Sequence, residues 1–326
     1  MISMKKWLMG MSAFLIMIIV AFLCIGNYFF NYALVRKNGE IAAAEMSAYS
    51  SIYEYEKKDR IDLNRKIQKE KTSSWLNSIS KKEINIQSND KLQLFASEFK
   101  LSNESNKWII LVHGYTSEQS SIYDIARHYS DKGYNVLTPD LRAHGLSEGK
   151  YVGMGWLDKN DLLLWIDYLL KNYRNSEIIL HGVSMGAATV MMASGENLPT
   201  NVKLIVEDCG YTSVWDIFSF ELKLRFNLST FPVLNAASFI TNVRTGYNYN
   251  EASSIDQIKK SVTPILFIHG NADEFVPVNM AYKLYDNANI NKELIIVDGA
   301  GHAESRLADE ELYYGSIFSF IDKYLN

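Results

Sequence analysis

A serine hydroxyl attacks a carbonyl only where a base takes its proton and an acid orients that base. One serine of this chain sits in a context suited to that chemistry. Gly182-Val183-Ser184-Met185-Gly186 follows the apolar run Glu177-Ile178-Ile179-Leu180 and precedes the helix-compatible Ala187-Ala188-Thr189-Val190-Met191-Met192. Strand, sharp turn and helix in that order lift a serine clear of the backbone, and flanking glycines relieve the crowding of so tight a turn. The same five residues also describe a glycine-rich turn with a capping serine, so the weight falls on partners downstream, acid first and histidine second.

Candidates for both partners lie in that order. Leu294-Ile295-Ile296-Val297 reads as a buried strand, and Asp298-Gly299-Ala300-Gly301-His302 as a glycine-rich loop ending in an imidazole, which makes His302 the candidate base. The strand Pro264-Ile265-Leu266-Phe267-Ile268 runs into His269-Gly270-Asn271-Ala272-Asp273; Asp273 is the candidate acid, and His269 reads as packing or loop support. His113 follows an apolar run and is expected to shape a turn. His144 and His181 lie upstream of Ser184 and read as structural, and His128 as a surface or partly buried side chain. No pair of histidines has H-x-x-x-H spacing, and neither a metal nor a cofactor is expected.

Acyl transfer also needs N–H donors aimed at the oxyanion of the tetrahedral intermediate. Met185, next after Ser184 at the start of a helix, presents one amide where the helix dipole favours negative charge. The loop His113-Gly114-Tyr115 closes the third apolar run, Trp108-Ile109-Ile110-Leu111-Val112, and Tyr115 is the candidate for the second amide.

With these segments the chain resembles the α/β-hydrolase family from about Glu83 to the C-terminus. The matching pieces are His113-Gly114-Tyr115, Asp140-Leu141-Arg142-Ala143-His144-Gly145-Leu146-Ser147-Glu148-Gly149, the turn at Ser184, the Asp273 loop and Gly301-His302. Many members have glycine where this chain has Ala143. More narrowly, the layout and Cys209-Gly210-Tyr211-Thr212-Ser213-Val214-Trp215 look like the membrane-anchored bacterial hydrolases of the serine aminopeptidase and lysophospholipase-like branch. The resemblance implies an eight-stranded, mainly parallel sheet with helices on both faces and a cap inserted after strand six. Some members place the acid one strand earlier, so Asp208 stands as an alternative to Asp273.

The elements that must position these residues can be read from apolar runs. Lys82-Glu83-Ile84-Asn85-Ile86 and Leu92-Gln93-Leu94-Phe95-Ala96 alternate as an edge hairpin around Ser88-Asn89-Asp90. Runs ending near Val112, Leu137, Leu180, Val206, Ile268 and Val297 alternate with helical stretches such as Leu157 to Lys171. Continuous Ile/Val/Leu strands of this kind are buried on both faces of a parallel sheet. Residues of about 211–257 carry Trp215, Phe218, Phe220, Phe226, Phe231, Phe239, Tyr247 and Tyr249, more aromatics than a connector needs. By the resemblance this is the cap; most of the rings would pack its own core and a few would line an apolar acyl pocket.

Upstream, residues 1–36 read as a membrane anchor. Trp7 to Val35 contains no charge, and Leu8 to Ile25 is almost wholly apolar, enough to cross about 30 Å of hydrocarbon. Lys5 and Lys6 precede it, Arg36 and Lys37 follow, and Tyr28, Phe29, Phe30 and Tyr32 are expected as an interfacial belt. The bulky residues after the apolar core favour an uncleaved anchor over a secretory peptide, and Cys24 reads as membrane packing. Residues 37–80 read as a charged, solvated helical connector, with helix-prone segments at Ile41–Met46 and Tyr53–Lys71, whose Trp75 and Leu76 would dock on the hydrolase body of residues 81–326.

Composition agrees with one large core: the chain has 326 residues, 48% of them hydrophobic. Its 33 Lys+Arg against 37 Asp+Glu give a net charge of −4, which offers no electrostatic case for nucleic acid. Two cysteines build no disulfide framework. The expected function is a serine carboxylesterase acting on small esters with an apolar acyl or aromatic group. A peptidase or amidase of the same fold, and a surface-anchored binding protein without catalysis, are the alternatives. The flanking charges balance, so it is the resemblance that implies a single-pass membrane protein with its hydrolase domain outside the cytoplasm.

Overall fold

The computed structural model describes residues 4–37, 40–41, 55–102 and 104–325. Eight strands form one sheet: β1 (Ser80–Gln87), β2 (Gln93–Lys100), β3 (Lys107–Val112), β4 (Asn135–Pro139), β5 (Glu177–Val183), β6 (Val202–Asp208), β7 (Ile265–Gly270) and β8 (Lys292–Val297). Their spatial order is β8-β7-β6-β5-β3-β4-β2-β1. The strands from β4 to β8 pair in parallel, and β2 runs antiparallel to both β1 and β4. Central β3, β5 and β7 are apolar on both faces and buried almost throughout, because helices cover each side.

One side is filled by α4 (Asp158–Asn172), α5 (Met185–Ser194) and α9 (Asn279–Asn287), the other by α3 (Tyr123–Asp131), α10 (Ser305–Ala308) and α11 (Glu310–Leu325). Between β6 and β7 run α6 (Val214–Phe226), α7 (Thr230–Thr245) and the short α8 (Ser254–Ile258). Ser213 and Ser253 cap α6 and α8 through Oγ atoms that accept the Asp216 and Asp256 N–H groups, and the two serines bridge each other, closing the base of this insertion.

The N-terminal helix α1 (Met4–Leu34) has 31 residues, about 46 Å at 1.5 Å per residue. Trp7 to Val20 stand exposed along it, whereas Phe30 and Leu34 are fully buried. Its second half therefore packs on the body: Phe22 meets Phe239 of α7, Phe30 stands edge-on to Tyr151, and Phe29 and Tyr32 meet Phe226. The expected interfacial belt is thus largely occupied in protein packing, since an apolar helix longer than a bilayer needs leaves its surplus turns free to find a partner. A two-residue ribbon, Arg36–Lys37 with Glu40–Ile41, follows.

Residues 42–54 lie outside the described residues, and with them most of the helix expected at Ile41–Met46; Ile41 itself belongs to the ribbon. Farther along, α2 (Tyr55–Leu76) is docked along one face rather than solvated all round. Asn64 and Arg60 donate to the Leu307 and Ala308 carbonyls, Gln68 bonds Glu310, and buried Trp75 stacks near Phe99 while its indole N–H donates to Ser130 Oγ. Polar residues dominate α2, so its pattern shows no broad apolar stripe; the docking face is built from hydrogen bonds as much as from Ile61 and Trp75.

Candidate active site

Ser184 sits between the end of β5 and the first turn of α5, with φ 57° and ψ −117°. A non-glycine residue held in that left-handed region costs conformational energy and persists only where the surroundings over-determine it. Here the Ser184 N–H donates to the Asp208 carbonyl at 2.8 Å, tying the turn to β6. Crowding explains the glycine two residues on: a methyl at Gly186 would lie 2.1 Å from the Val112 carbonyl oxygen of β3.

Three loops converge on this serine. His302, in the loop between β8 and α10, places Nε2 2.8 Å from Ser184 Oγ. Its Nδ1 lies 2.7 Å from Asp273 Oδ2, so the Nδ1–H donates to the carboxylate and Nε2 is left to accept the serine proton. Asp273, in the loop after β7, has a fully buried side chain whose other oxygen accepts the Phe275 and Val276 N–H groups at 2.9 and 2.8 Å. Burial opposes its ionisation, yet the attraction of His302 and hydrogen bonds from His269 and His302 outweigh it and hold the carboxyl well below the usual range.

The two residues expected to supply the oxyanion amides, Met185 and Tyr115, lie beside Ser184, Met185 next in the chain and Tyr115 on the wall of the same cavity. Met185 opens α5, so its N–H has no carbonyl one turn earlier to meet. Gly114 passes so close that a methyl there would lie 3.2 Å from Ser184 Cβ, which brings the Tyr115 turn alongside. Asp208 is placed otherwise: its Oδ2 accepts the Tyr313 hydroxyl at 2.9 Å, and no hydrogen bond joins it to His302 among the described residues.

Comparison with known proteins fits this geometry. Residues 121–326 match the prolyl oligopeptidase family. The chain belongs to that family. This member is 32% identical over 216 residues to the uncharacterized protein YqkD of Bacillus subtilis (strain 168), covering 66% of this chain and 70% of that protein. Its fold is that of the α/β hydrolases, shared with the Pyrococcus furiosus esterase Pf2001 at 24% identity and a TM-score of 0.63, over 76% of this chain and 94% of the other. The Pyrococcus horikoshii acylaminoacyl peptidase overlays with a TM-score of 0.55 at 18% identity, over 76% of this chain and 42% of the peptidase.

The other histidines of this prolyl oligopeptidase-family chain support its loops and its helix packing. His113 Nε2 accepts the Leu141 N–H and His144 Nε2 accepts the Thr116 N–H, while each Nδ1 bonds a nearby carbonyl, of Gly114 and Arg142 respectively. Burial pushes His113 down to about 4 and His144 to about 3, keeping both neutral as this pattern requires. His181 passes a chain from Tyr129 to Tyr313 and on to Asp208. His128 stacks on Tyr314 at 3.6 Å. His269 is buried against the Asp273 loop, its Nε2 2.8 Å from the Val276 carbonyl and 3.3 Å from Asp273 Oδ2.

Cys209, Asp273 and His302 bring potential metal ligands within 4.8 Å of one another. An ion there would have to displace the Asp273–His302 hydrogen bond and ionise a thiol whose buried setting drives its pKa up, so these residues do not fit a resident metal.

A cavity opens at Ser184. The cap supplies Phe218, Leu222, Phe226 and Tyr249, the Asp273 loop supplies Phe275, and α1 supplies Phe29, Tyr32 and Ala33. Of the eight aromatics noted in the insertion, Tyr247 is buried in packing and Phe231 and Phe239 stand exposed. Glu221 and Arg225, also on the wall, form an i,i+4 ion pair that leaves Glu221 Oε1 and Arg225 Nη1 without partners among the described residues. Neither charge nor the α1 residues emerged from sequence reasoning. The i,i+4 spacing and the aromatic surplus at the end of α1 were the available signals.

Proposed function

We propose that this protein is a membrane-anchored serine hydrolase that cleaves carboxylic esters through an acyl-enzyme. The observation that carries the reading is the continuous hydrogen-bonded run from Asp273 through His302 to Ser184 Oγ, with both steps shorter than 3 Å. His302 takes the Ser184 proton as the hydroxyl oxygen bonds to the substrate carbonyl carbon, and the N–H groups of Met185 and Tyr115 hold the oxyanion. His302 then gives that proton to the leaving alcohol as the C–O bond breaks. Water, deprotonated by the same imidazole, attacks the acyl-serine and frees the acid. Asp273 stays ionised throughout and stabilises the imidazolium.

Ester chemistry is favoured over amide by the apolar lining of the cavity. The Glu221–Arg225 pair favours the second reading, an amidase or peptidase, because an amide would satisfy the unpartnered acceptor and donor at once. Residues 1–36 would be the anchor, 37–80 the connector and 81–326 the hydrolase domain, with the cap at about 211–257. Support for the anchor comes from α1, which is long and apolar enough to span a bilayer, and from exposed Phe231, Phe239 and Val243 on the cap helix packed beside it. The single-pass orientation with the hydrolase domain outside the cytoplasm follows the family resemblance; a C-terminal reporter active only in the cytoplasm would reverse it.

The test is made on the full chain in detergent, with fluorophosphonate labelling and with p-nitrophenyl esters against matched anilides. Wild type should label and should turn over esters faster than anilides. Ser184→Ala should lose labelling and about 10⁴-fold or more of the turnover while keeping its melting temperature. Wild type that neither labels nor turns over would leave a binding protein, and faster anilides would leave the amidase.

A further inference from the structure

The helix that reads as a membrane span is also a wall of the cavity at Ser184. Phe29, Tyr32 and Ala33 share one face of α1 by their spacing, and all three line that cavity. Contacts fix this face in place. The rings of Phe29 and Tyr32 stand edge-on to Phe226 of the cap at 5.2 and 5.5 Å between centroids, and Tyr32 also hydrogen-bonds Arg225.

The residues that follow are tied to the body through backbone and side chain alike. The Val152 N–H donates to the Leu34 carbonyl at 2.9 Å, and the Arg36 guanidinium donates to the Gly145 and Ser147 carbonyls at 2.7 and 2.9 Å. The Tyr115 hydroxyl donates to the Ala33 carbonyl at 2.5 Å, so the turn assigned the second oxyanion amide leans on the same part of α1. A simple tether would need none of these bonds. Residues that line the cavity, pack on the cap and brace the loop beside the nucleophile are placed to discriminate between substrates.

We propose that Phe29 and Tyr32 are specificity-determining residues, which set the length of the acyl chain that the cavity accepts. This rests on the reading of Ser184 as the nucleophile. Removing the Phe29 ring would lengthen the apolar slot, and enlarging it would shorten the slot, whereas loss of fold would depress all substrates alike.

The experiment uses the full chain in detergent micelles and compares kcat/KM for p-nitrophenyl butyrate, octanoate and laurate in wild type, Phe29→Ala, Phe29→Trp and Tyr32→Ala. Phe29→Ala and Tyr32→Ala should raise the laurate-to-butyrate ratio about tenfold, and Phe29→Trp should lower it by a similar factor. Ratios equal to wild type in all three variants, whether or not the absolute rates fall, would overturn the proposal. Fluorophosphonate labelling of the wild type separates the two readings: no labelling removes the nucleophile assignment, whereas labelling with flat ratios removes only the role of α1. Should Phe29→Ala not accumulate as folded protein, Phe29→Leu and Phe29→Trp decide the question.

Discussion

Two buried carboxylates stand near His302, and their hydrogen bonds separate their parts. Asp273 spends one oxygen on two backbone N–H groups and the other on His302, so its position and that of the imidazole are fixed together. Asp208 is spent on Tyr313, the last member of a chain that runs through His181. Asp273→Asn should therefore cost about 10⁴-fold in ester kcat, because an amide in that place can turn its NH₂ to the imidazole and impose the wrong tautomer. Asp208→Asn, which can still accept the Tyr313 hydroxyl, should stay within a few-fold of wild type. Steady-state kinetics on one soluble ester checks both, and the opposite ranking would move the acid to β6. Order along the chain was enough to nominate Ser184, Asp273 and His302. The preference for Asp273 over Asp208 rested on the family resemblance, because chain order does not show where each side chain finds its donors.

At the scale of elements, the turn at Ser184 is held by contact between three strands and one helix. Val112 of β3 presses on the start of α5, and Asp208 of β6 accepts from the Ser184 amide. Gly186→Ala would drive a methyl to 2.1 Å from the Val112 oxygen, so β3 and α5 must part. We expect a loss of more than about 3 kcal/mol in stability or insoluble protein, measured by thermal unfolding. The strands were legible because a parallel sheet buried on both faces demands unbroken Ile, Val and Leu, a pattern no loop sustains. The last turns of α1 were not. An apolar helix reads the same whether lipid or protein covers it, and only the position of Phe226 and Tyr151 decides that Phe29, Phe30 and Tyr32 face protein. The docking of α2 was half legible, from Trp75 alone, since the bonds of Arg60 and Asn64 run to backbone carbonyls of α10 that carry no sequence signature.

Across the whole molecule, buried acids shape how stability depends on pH. Burial pushes the Glu207 carboxyl up to about 8 from an ordinary 4.5, against smaller opposing effects of His269 and the Gly210 N–H. Burial likewise raises Asp158, to about 7 from 3.8. Each of these groups binds its proton more tightly folded than unfolded, so the stabilisation is complete below the unfolded value and is lost as pH climbs to the folded one. Asp273 acts in the opposite sense: its depressed carboxyl adds stability that is present above about 3.8 and lost as pH falls further. Buried neutral His113 and His144, held below an ordinary 6.5, likewise lose their stabilising effect as pH falls below about 6.5, so the melting temperature should be highest near pH ~6.5 and decline both toward pH ~8 and into acid. Glu207→Gln keeps an oxygen for the Gly210 N–H and removes the proton that must be held, so its melting temperature should gain steadily on that of wild type between pH ~5 and ~8. The two melting curves should be closest at the acid end and farthest apart at the alkaline end. Parallel curves would mean that Glu207 meets solvent or a compensating charge in the folded protein, and that the acid beside Asp208 has no part in the pH response.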